Sequence, residues 1–423
     1  MTVATAEPEV VVVAPTTFWT RSRKAGVVYL ALGLIAIVFW GILSGHNADA
    51  RFAAGQESSG SSAPIPSKVG AIVAGAVVMA CGAALLTERL GKRFALWSGI
   101  ALAALVIAFL SWQVSGNTMP LGSSANLTVQ AALPLILGAL CGVLCERSGV
   151  INVAIEGQFL AGAFLGAFFG TVAMSAWFGL FAAIIGGALV AALLAVLAIR
   201  YQVEQVVLGV VINLLVLGLT SFLYQQVMQP DAASFNATPA FATWKIPVLW
   251  RIPIIGPALF EQNVIVYITI VLVIAVHVGL FHTRWGLRTR SVGEHPTAAD
   301  TVGIRVLAVR YRNVIVAGMI AGVGGAFFTV GSHLDFSKNM TVGKGFIALA
   351  ALIFGRWSPI GATLAALLFG FTDQLQSYLS LTGSSVPSQF LAMLPYAVTI
   401  LAVAGLVGRV RAPAADGKPY VKG

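Results

Sequence analysis

Twelve apolar segments follow one another along the chain, separated by polar stretches. Most are about 20 residues long, the length that a helix needs to cross a hydrocarbon core of about 30 Å. The pattern predicts an all-α integral membrane protein, a polytopic bundle of about 10–12 transmembrane helices. The approximate bounds of the segments are 25–44, 68–87, 94–113, 128–146, 149–171, 177–199, 204–224, 263–283, 313–332, 343–355, 359–378 and 389–408.

Composition supports this prediction. Of the 423 residues, 58% are hydrophobic and only 9% are charged, whereas a soluble domain is about 25% charged. A closed β-barrel would show alternating segments of about ten residues. Unbroken runs such as "FAAIIGGALVAALLAVLAI" (residues 181–199) favour helices instead.

The distribution of positive charge predicts the orientation in the membrane. The formal net charge is +10. With a cytoplasmic N-terminus, 19 of the 25 Lys and Arg residues fall on the inner side, as the positive-inside rule requires. The basic excess therefore calls for no nucleic acid partner. Twelve passes place both tails, residues 1–24 and 409–423, in the cytoplasm.

One predicted pass is shorter than a membrane-spanning helix normally is. Residues 343–355 give about 20 Å of helix, less than the bilayer core. A broken or re-entrant helix explains this length if protein or water surrounds it, and such helices often lie at transport pathways. A thin or tilted pass explains it equally well.

Two long loops are predicted outside the cell. Residues 45–67 are rich in Ser, Gly and Ala, a composition typical of a flexible linker. Residues 225–262 contain five prolines and the stretch "WKIPVLWRIPIIGP", which indicates an ordered cap near the membrane interface. That cap either docks a partner or acts as a rigid connector.

Glu156 lies within an apolar pass, in "GVINVAIEGQF". A charged side chain costs about 2.5–3.5 kcal/mol or more at the bilayer centre. If the pass begins near Gly149, Glu156 lies about 10 Å along it and shares a face with Asn152. The residue is therefore expected to face the protein interior. Two roles remain open: lining a polar passage, or joining two helices as a buried hydrogen-bonding group.

Other polar residues inside the passes are few and scattered. Gln130, Asn213 and Asp373, which is followed by Gln374, lie on different predicted helices. This dispersion suits a passage through a bundle, and we include these residues with Asn152 and Glu156 in a candidate substrate pathway. No HExxH motif and no catalytic triad is recognisable. The three cysteines provide no disulfide framework, and Cys141 and Cys145 read as small packing residues. We expect neither a catalytic site nor a metal site.

Glycines recur at helical spacing. Gly162, Gly166 and Gly170 lie on one helix face, and "GMIAGVGGAFF" (residues 318–328) repeats the pattern. Small residues on one face allow helix backbones to approach closely in lipid. These stretches are expected to serve packing.

The longest cytoplasmic loop, residues 284–312, contains a short predicted helix. His295 precedes it, Pro296 occupies the first turn, where proline is tolerated, and Gly303 can end it. Residues 297–302 then form about two turns. This arrangement is typical of a docking device, although a surface connector with basic residues at its ends fits as well.

Three stretches stand out in the chain: "ERSGVINVAIEGQFLAGAF" (146–164), "GLRTRSVGEHPTAADTVGI" (286–304) and "GKGFIALAALIFGRWSPIGATLAALLFG" (343–370). In this order they resemble the permease subunits of bacterial ABC importers. The resemblance is to the nucleoside and simple-sugar group, which is related to the ribose and branched-chain amino acid permeases. The likeness covers residues 128–408. Residues 25–127, with their helices and flexible external loop, lie outside it. The form "NVAIEG" favours nucleosides.

The resemblance implies an alternating-access importer of the bacterial plasma membrane, with no enzymatic activity of its own. ATP and Mg²⁺ would be used by a separate ABC ATPase, since "TVGKGF" has Gly345 where a phosphate-binding loop needs Ser or Thr. The other implied partners are a second, related permease and an extracellular lipid-anchored substrate-binding protein. The coupling residues implied in this chain are Gly293, Glu294, Pro296, Ala298, Ala299 and Gly303.

Two alternatives remain at this stage. The first is an ATP-driven importer whose substrate is a simple sugar such as ribose. An ion-driven secondary transporter is the rival from another class, because it also needs many spans and intramembrane carboxylates.

Overall fold

The structure is a computed structural model that describes residues 19–45, 47–55, 62–87, 93–381, 390, 393 and 411–421. The chain divides into two compact units. The first comprises Met1–Ala50 and Pro64–Asn117, and the second comprises Arg51–Ala63 and Thr118–Gly423. The predicted pass at 389–408 lies almost entirely outside the described residues.

Three helices form the first unit: α1 (Arg21–Ile35), which continues as a π-helix to Ile42, α2 (Ser67–Leu86) and α3 (Phe94–Gln113). Glycines bring α1 and α2 together, because a Cβ on Gly26 would lie 2.7 Å from the carbonyl oxygen of Gly82. Tyr29, Val78 and Leu85 form part of the small core of this unit. These helices pack on one another over only part of their surface, since about a third of each apolar span is buried.

The second unit contains the remaining helices and most of the short strands. Its helices are α4 (Leu121–Glu146), α5 (Ile155–Val172), α6 (Ala176–Ala195), α7 (Gln205–Leu223), α8 (Ala232–Phe235), α9 (Val264–His282), α10 (Arg284–Glu294), α11 (Pro296–Thr301), α12 (Val306–Ala326), α13 (Lys344–Phe354) and α14 (Pro359–Leu381). π-Helical turns extend α6 to Arg200, α7 to Met228 and α12 to His333, and two further segments, Leu249–Arg251 and Gly256–Phe260, are 3₁₀ and π-helical.

Short strands occur in both long loops. The described part of the loop predicted as a flexible linker contains β1 (Asp49–Ala53) and β2 (Ser62–Pro66), and β1 pairs in parallel with β3 (Thr118–Pro120). In the proline-rich loop, β4 (Trp244–Lys245) pairs with β5 (Glu261–Gln262). An ion pair of 2.6 Å between Lys245 and Glu261 supports this hairpin. The proline-rich loop is therefore ordered, as predicted.

Nine helices among the described residues are long and apolar enough to cross a membrane, which confirms a polytopic all-α membrane protein. Three predicted starts are wrong. The passes expected from residues 128, 149 and 313 begin at Leu121, Ile155 and Val306. The predicted loop 284–312 is shorter for the same reason, because its last seven residues are the first two turns of α12.

The short pass predicted at residues 343–355 is an interrupted helix. Helix α13 has 11 residues, about 16 Å at 1.5 Å per residue, so it cannot cross a bilayer by itself. A loop with left-handed residues at Leu334, Asn339, Val342 and Gly343 leads into it. The structure therefore favours a broken helix over a thin or tilted pass.

Glycines pack α5, α6 and α12 against one another. A Cβ on Gly162 would lie 3.0 Å from the carbonyl oxygen of Gly322, and one on Gly187 would lie 2.2 Å from that of Gly318. The predicted packing role of both glycine stretches is confirmed. Backbone-to-backbone contact of this kind replaces side-chain interdigitation where lipid offers no hydrophobic driving force.

We predict that Gly187→Ala destabilises the protein, because its methyl group meets the backbone of α12 and the helices must separate. Overpacking of this kind costs about 1–3 kcal/mol. Thermal unfolding of the purified protein measures the effect. Gly218→Ala is the matched control, since no described residue has an atom within 4 Å of a Cβ there. Equal melting temperatures for the two variants would contradict this packing.

Candidate functional site

The carboxylate of Glu156 holds the start of α13. Its Oε1 accepts hydrogen bonds from the hydroxyl of Thr341 at 2.5 Å and from the backbone N–H of Gly343 at 2.8 Å, and its Oε2 accepts one from the N–H of Gly345 at 2.7 Å. The side chain is only 6% exposed. Buried charge is tolerated when it is fully hydrogen-bonded, and this carboxylate has three donors.

Glycine is required at the contact. A Cβ on Gly345 would lie 2.5 Å from the backbone nitrogen of Glu156, and Gly343 has φ of +76°. The first N–H groups of α13 have no partners inside their own helix, and a negative charge is favourable at a helix N-terminus. The carboxylate therefore satisfies groups that would otherwise be unpaired.

The depth of this junction follows from the packing of α13 on α4. Gly138 lies against Ala348 and Gly142 against Leu352, so the two helices run in parallel. Gly345, one turn before Ala348, is then level with residue 135 of α4. That level is about 16 Å from the end of α4 at Glu146. The junction is therefore deep within the bundle, although Glu156 lies in the first turn of its own helix.

Asn152 and Asn213 satisfy the backbone where α5 begins. Asn152 is fully buried and precedes the helix, so its predicted shared face with Glu156 is wrong. Its Oδ1 accepts from the N–H of Ala154 at 3.1 Å. The Oδ1 of Asn213 accepts from the N–H of Gly157 at 2.8 Å, and its Nδ2 donates to the carbonyl of Val153 at 2.9 Å. Both amides act here as substitutes for helical hydrogen bonds.

Gln130 lies elsewhere, in the wall of a polar cavity near β4 and β5. The cavity has a volume of about 410 Å³, within the range of small-molecule sites. Its lining residues are mostly polar and include one ring: Ser123, Asn126, Leu127, Gln130, Phe241, Thr243, Glu261, Gln262, Asn263 and Gly331. Gln130 donates to the Oδ1 of Asn126 at 2.8 Å. Its neighbour Gln262 is 1% exposed, and the Oε1 of Gln262 has no hydrogen-bond partner in the described part of the chain.

Asp373 belongs to a third location. Its carboxylate accepts from the Nζ of Lys344 at 3.1 Å. Both side chains are partly exposed, at 42% and 27%. Lys344 is the first residue of α13, so a charged pair lies beside the junction that Glu156 holds. The five predicted pathway residues are therefore not one cluster.

The short helix predicted in the loop 284–312 forms as Pro296–Thr301. Helix α11 begins at Pro296, the Nδ1 of His295 accepts from the N–H of Ala298 at 3.3 Å, and Gly303 has φ of +83° beyond its end. Ala298 and Gly303 are exposed. Ala299 is 3% exposed and packs on Val306. The exposed positions of α11 are thus accessible, whereas Ala299 faces the protein's own core.

Gly293 also faces inward. A Cβ there would lie 2.3 Å from the carbonyl oxygen of Arg147, so the residue fits the end of α10 against the turn that follows α4. Arg147 donates to the carbonyl of Trp357 at 3.0 Å. Burial lowers the pKa of Arg147, and the nearby charge of Glu294 opposes this. The end of α10 is therefore joined to the ends of two membrane helices.

Comparison with known families identifies the second unit. Residues 124–403 match the family described as branched-chain amino acid transport system / permease component. The chain belongs to this family. The match begins after the first unit ends, so the helices α1–α3 of this permease lie outside the shared region.

Similar proteins come from several organisms. The permease is 44% identical to the guanosine ABC transporter permease protein NupQ of Bacillus subtilis, over 70% of this chain and 95% of the relative. It is 39% identical to the nucleoside ABC transporter permease protein NupC of Lactococcus lactis, over 70% and 96%. It is 35% identical to the putative glucose ABC transporter permease protein TsgC13 of Haloferax volcanii, over 59% and 76%. No solved structure shows significant similarity to the chain.

Several residues of the permease's site escape sequence reasoning. Thr341 precedes the two glycines at the start of α13 and Lys344 lies between them, and both are separated from Glu156 by more than 180 residues. No local pattern therefore links them to Glu156. Asn126 could be found from the sequence, because it lies one helical turn from Gln130. Gln205 accepts from the N–H of Ile151 at 2.7 Å. This N–H needs a side-chain partner because it lies in the break before α5.

We predict that Glu156→Gln lowers the stability of the permease. An amide can accept on one side only, so one of the N–H groups of Gly343 and Gly345 loses its partner, at a cost of about 1–3 kcal/mol. Thermal unfolding of the purified protein measures this loss.

The matched control is Glu204→Gln. That carboxylate also accepts two backbone N–H groups at a helix start, from Val206 and Val207, but is exposed, and those hydrogen bonds lower its pKa. Water can replace it, so little change is expected. A Glu156→Gln variant as stable as the control would contradict the structural role.

Proposed function

We propose that this permease is the transmembrane subunit of an ATP-driven importer for nucleosides. The observation that carries the proposal is its 44% identity to a guanosine permease along 95% of that protein. Family membership decides against an ion-driven secondary transporter. The permease moves substrate by alternating access, and a separate ABC ATPase hydrolyses ATP.

The polar cavity supports nucleosides as the substrate class. A nucleoside needs donors and acceptors for its ribose hydroxyls and its base, and Asn126, Gln130 and Asn263 carry both types of group. Phe241 provides an apolar ring in the same wall, and aromatic side chains stack on bases. The cavity is the part of the proposed route where substrate is first held. The ring of Phe241 beside polar groups provides for a base as well as for a ribose.

A simple sugar remains the second candidate, because the putative glucose permease is 35% identical to this chain. Sugars are bound through their hydroxyls, and the amides of the cavity suit them too. The two candidates differ in the need for an apolar contact with a base. Phe241 therefore discriminates between them.

The proposed partners are an ABC ATPase, a second related permease and an extracellular lipid-anchored substrate-binding protein, all in a bacterial plasma membrane. Both termini are proposed to be cytoplasmic. The charge distribution supports this orientation, since it leaves only six basic residues off the inner side. Five of them lie in or beside the proposed external loops, Arg51, Lys68, Lys245, Arg251 and Lys338, and Lys344 lies at the start of α13. In the same orientation α11 faces the ATPase, and the cavity faces the outside.

We predict that unlabelled nucleosides compete with labelled guanosine for uptake by cells that depend on this permease. Ribose and glucose should compete at least tenfold less well, because they lack a base. Phe241→Leu should weaken uptake of guanosine. Leu127→Ala, in the same wall but without a ring, is the control. Equal competition by ribose would overturn the nucleoside assignment in favour of the sugar.

A second prediction concerns α11. A single cysteine at Ala298 should cross-link to the partner ATPase, and Ala298→Glu should abolish substrate-stimulated ATP hydrolysis without affecting membrane insertion. Ala233→Glu is the control, since Ala233 is an exposed alanine of the short helix α8 on the proposed outer side. Normal stimulation in Ala298→Glu, or cross-linking from position 233, would refute this arrangement. Ala299 is unsuitable for the test because it is buried.

A further inference from the structure

The C-terminal segment, residues 411–421, lies against the cytoplasmic ends of the membrane helices, and we refer to it as the strap. Its Ala415 N–H donates to the carbonyl of Gly293 at 2.9 Å. Its Ala414 N–H donates to the carboxylate of Glu294 at 3.2 Å. These two hydrogen bonds fasten the strap to the end of α10, immediately before α11.

The opposite side of the strap lies on the turn between α4 and α5. Gly417, with φ of +70°, packs against Ile151, and a Cβ on Gly417 would lie 2.6 Å from the Cδ1 of that side chain. A Cβ on Gly149 would lie 3.1 Å from the carbonyl oxygen of Ala415. This turn leads directly to Asn152 and Glu156. The strap therefore contacts both the coupling segment and the segment that precedes the junction.

A buried arginine depends on the strap. Arg310, in the second turn of α12, is 1% exposed, and its Nη1 donates to the carbonyl of Lys418 at 2.9 Å. Its Nε and Nη2 have no partner among the described residues. Asp416 is the acidic residue of the strap close to it, and burial raises the pKa of this carboxyl to about 7. Without the strap, Arg310 would keep a buried charge with less compensation, which is strongly unfavourable.

Tyr420 completes the connection to α11. It is 8% exposed and forms an apolar cluster with Ala299 of α11, Val306 of α12 and Val292 of α10. Helix α11 thus rests partly on the strap. A displacement of α11 by a partner therefore disturbs the contact between Ala299 and Tyr420.

We propose that the strap is a positioning element for coupling, which carries movement of α11 to the turn before α5 and so to the junction between Glu156 and α13. The contacts form a continuous series from Ala299 through Tyr420 and Gly417 to Ile151. This proposal rests on the proposed function, because it requires a separate ATPase that moves α11.

The test uses the complete transporter with its ATPase, and hydrogen exchange of peptides covering residues 341–347, whose amides at Gly343 and Gly345 bind Glu156. In the wild type, exchange in these peptides should change when ATP binds. Tyr420→Ala, at the contact with α11, and Gly417→Ala, at the contact with Ile151, should both lose this change while the complex stays assembled. Tyr420→Phe should keep it, because the ring remains. Lys418→Ala is the control, since its side chain is exposed and only its carbonyl is used.

The outcomes separate the two proposals. An unchanged ATP response in both Tyr420→Ala and Gly417→Ala overturns the strap's role, and so does a wild type without any ATP response at residues 341–347. Loss of the response in Lys418→Ala as well would contradict the specific contacts. Nucleoside uptake is measured in parallel. A wild type that shows the ATP response but imports no nucleoside refutes the proposed substrate. The role of the strap in coupling is then still decided by the ATP responses of Tyr420→Ala and Gly417→Ala.

Discussion

An unpaired backbone group is costly where water is absent, and this constraint determines most of the unusual features of the permease. A continuous helix satisfies its own groups, so each break in a helix needs partners from elsewhere. The break before α5 uses Asn152, Asn213 and Gln205. The break before α13 uses the carboxylate of Glu156. The two helix starts meet deep in the bundle, and polar side chains are present there because the backbone requires them.

The same constraint operates where the strap meets the helix ends, and charged side chains take part there. Helix α12 starts seven residues earlier than its apolar pattern predicts and so carries Arg310 into the packed region. The strap makes this possible by providing a carbonyl and a nearby carboxylate. At the end of α4, Glu146 accepts from the indole N–H of Trp357. Charged side chains therefore join helix ends to one another on this side of the bundle.

Sequence reasoning succeeds where the physical signal is local. The apolar runs predict the helices, the spacing of Gly162, Gly166 and Gly170 predicts close packing, and Pro296 with Gly303 predicts α11. The cost of a buried carboxylate correctly predicts that Glu156 faces inward. Its partners could not be predicted, because Thr341 and Gly345 are distant in sequence and are brought near only by the tertiary fold. The strap was likewise unforeseen, since nothing in residues 411–421 resembles a buried segment.

The hydrogen bonds of Glu156 also limit what this residue can do in transport. All the donors that reach its two oxygens in this structure belong to the permease. A substrate hydroxyl would have to displace one of them, and each buried donor left unpaired costs about 1–3 kcal/mol. Direct contact between Glu156 and a substrate therefore requires a state in which α13 has moved away and its N-terminal groups have found other partners. Glu156 thus holds the start of α13, and the ion pair between Lys344 and Asp373 joins the first residue of the same helix to α14. Among the described residues, unused polar capacity lies instead in the wall of the cavity, where Gln262 is buried and its Oε1 has no hydrogen-bond partner.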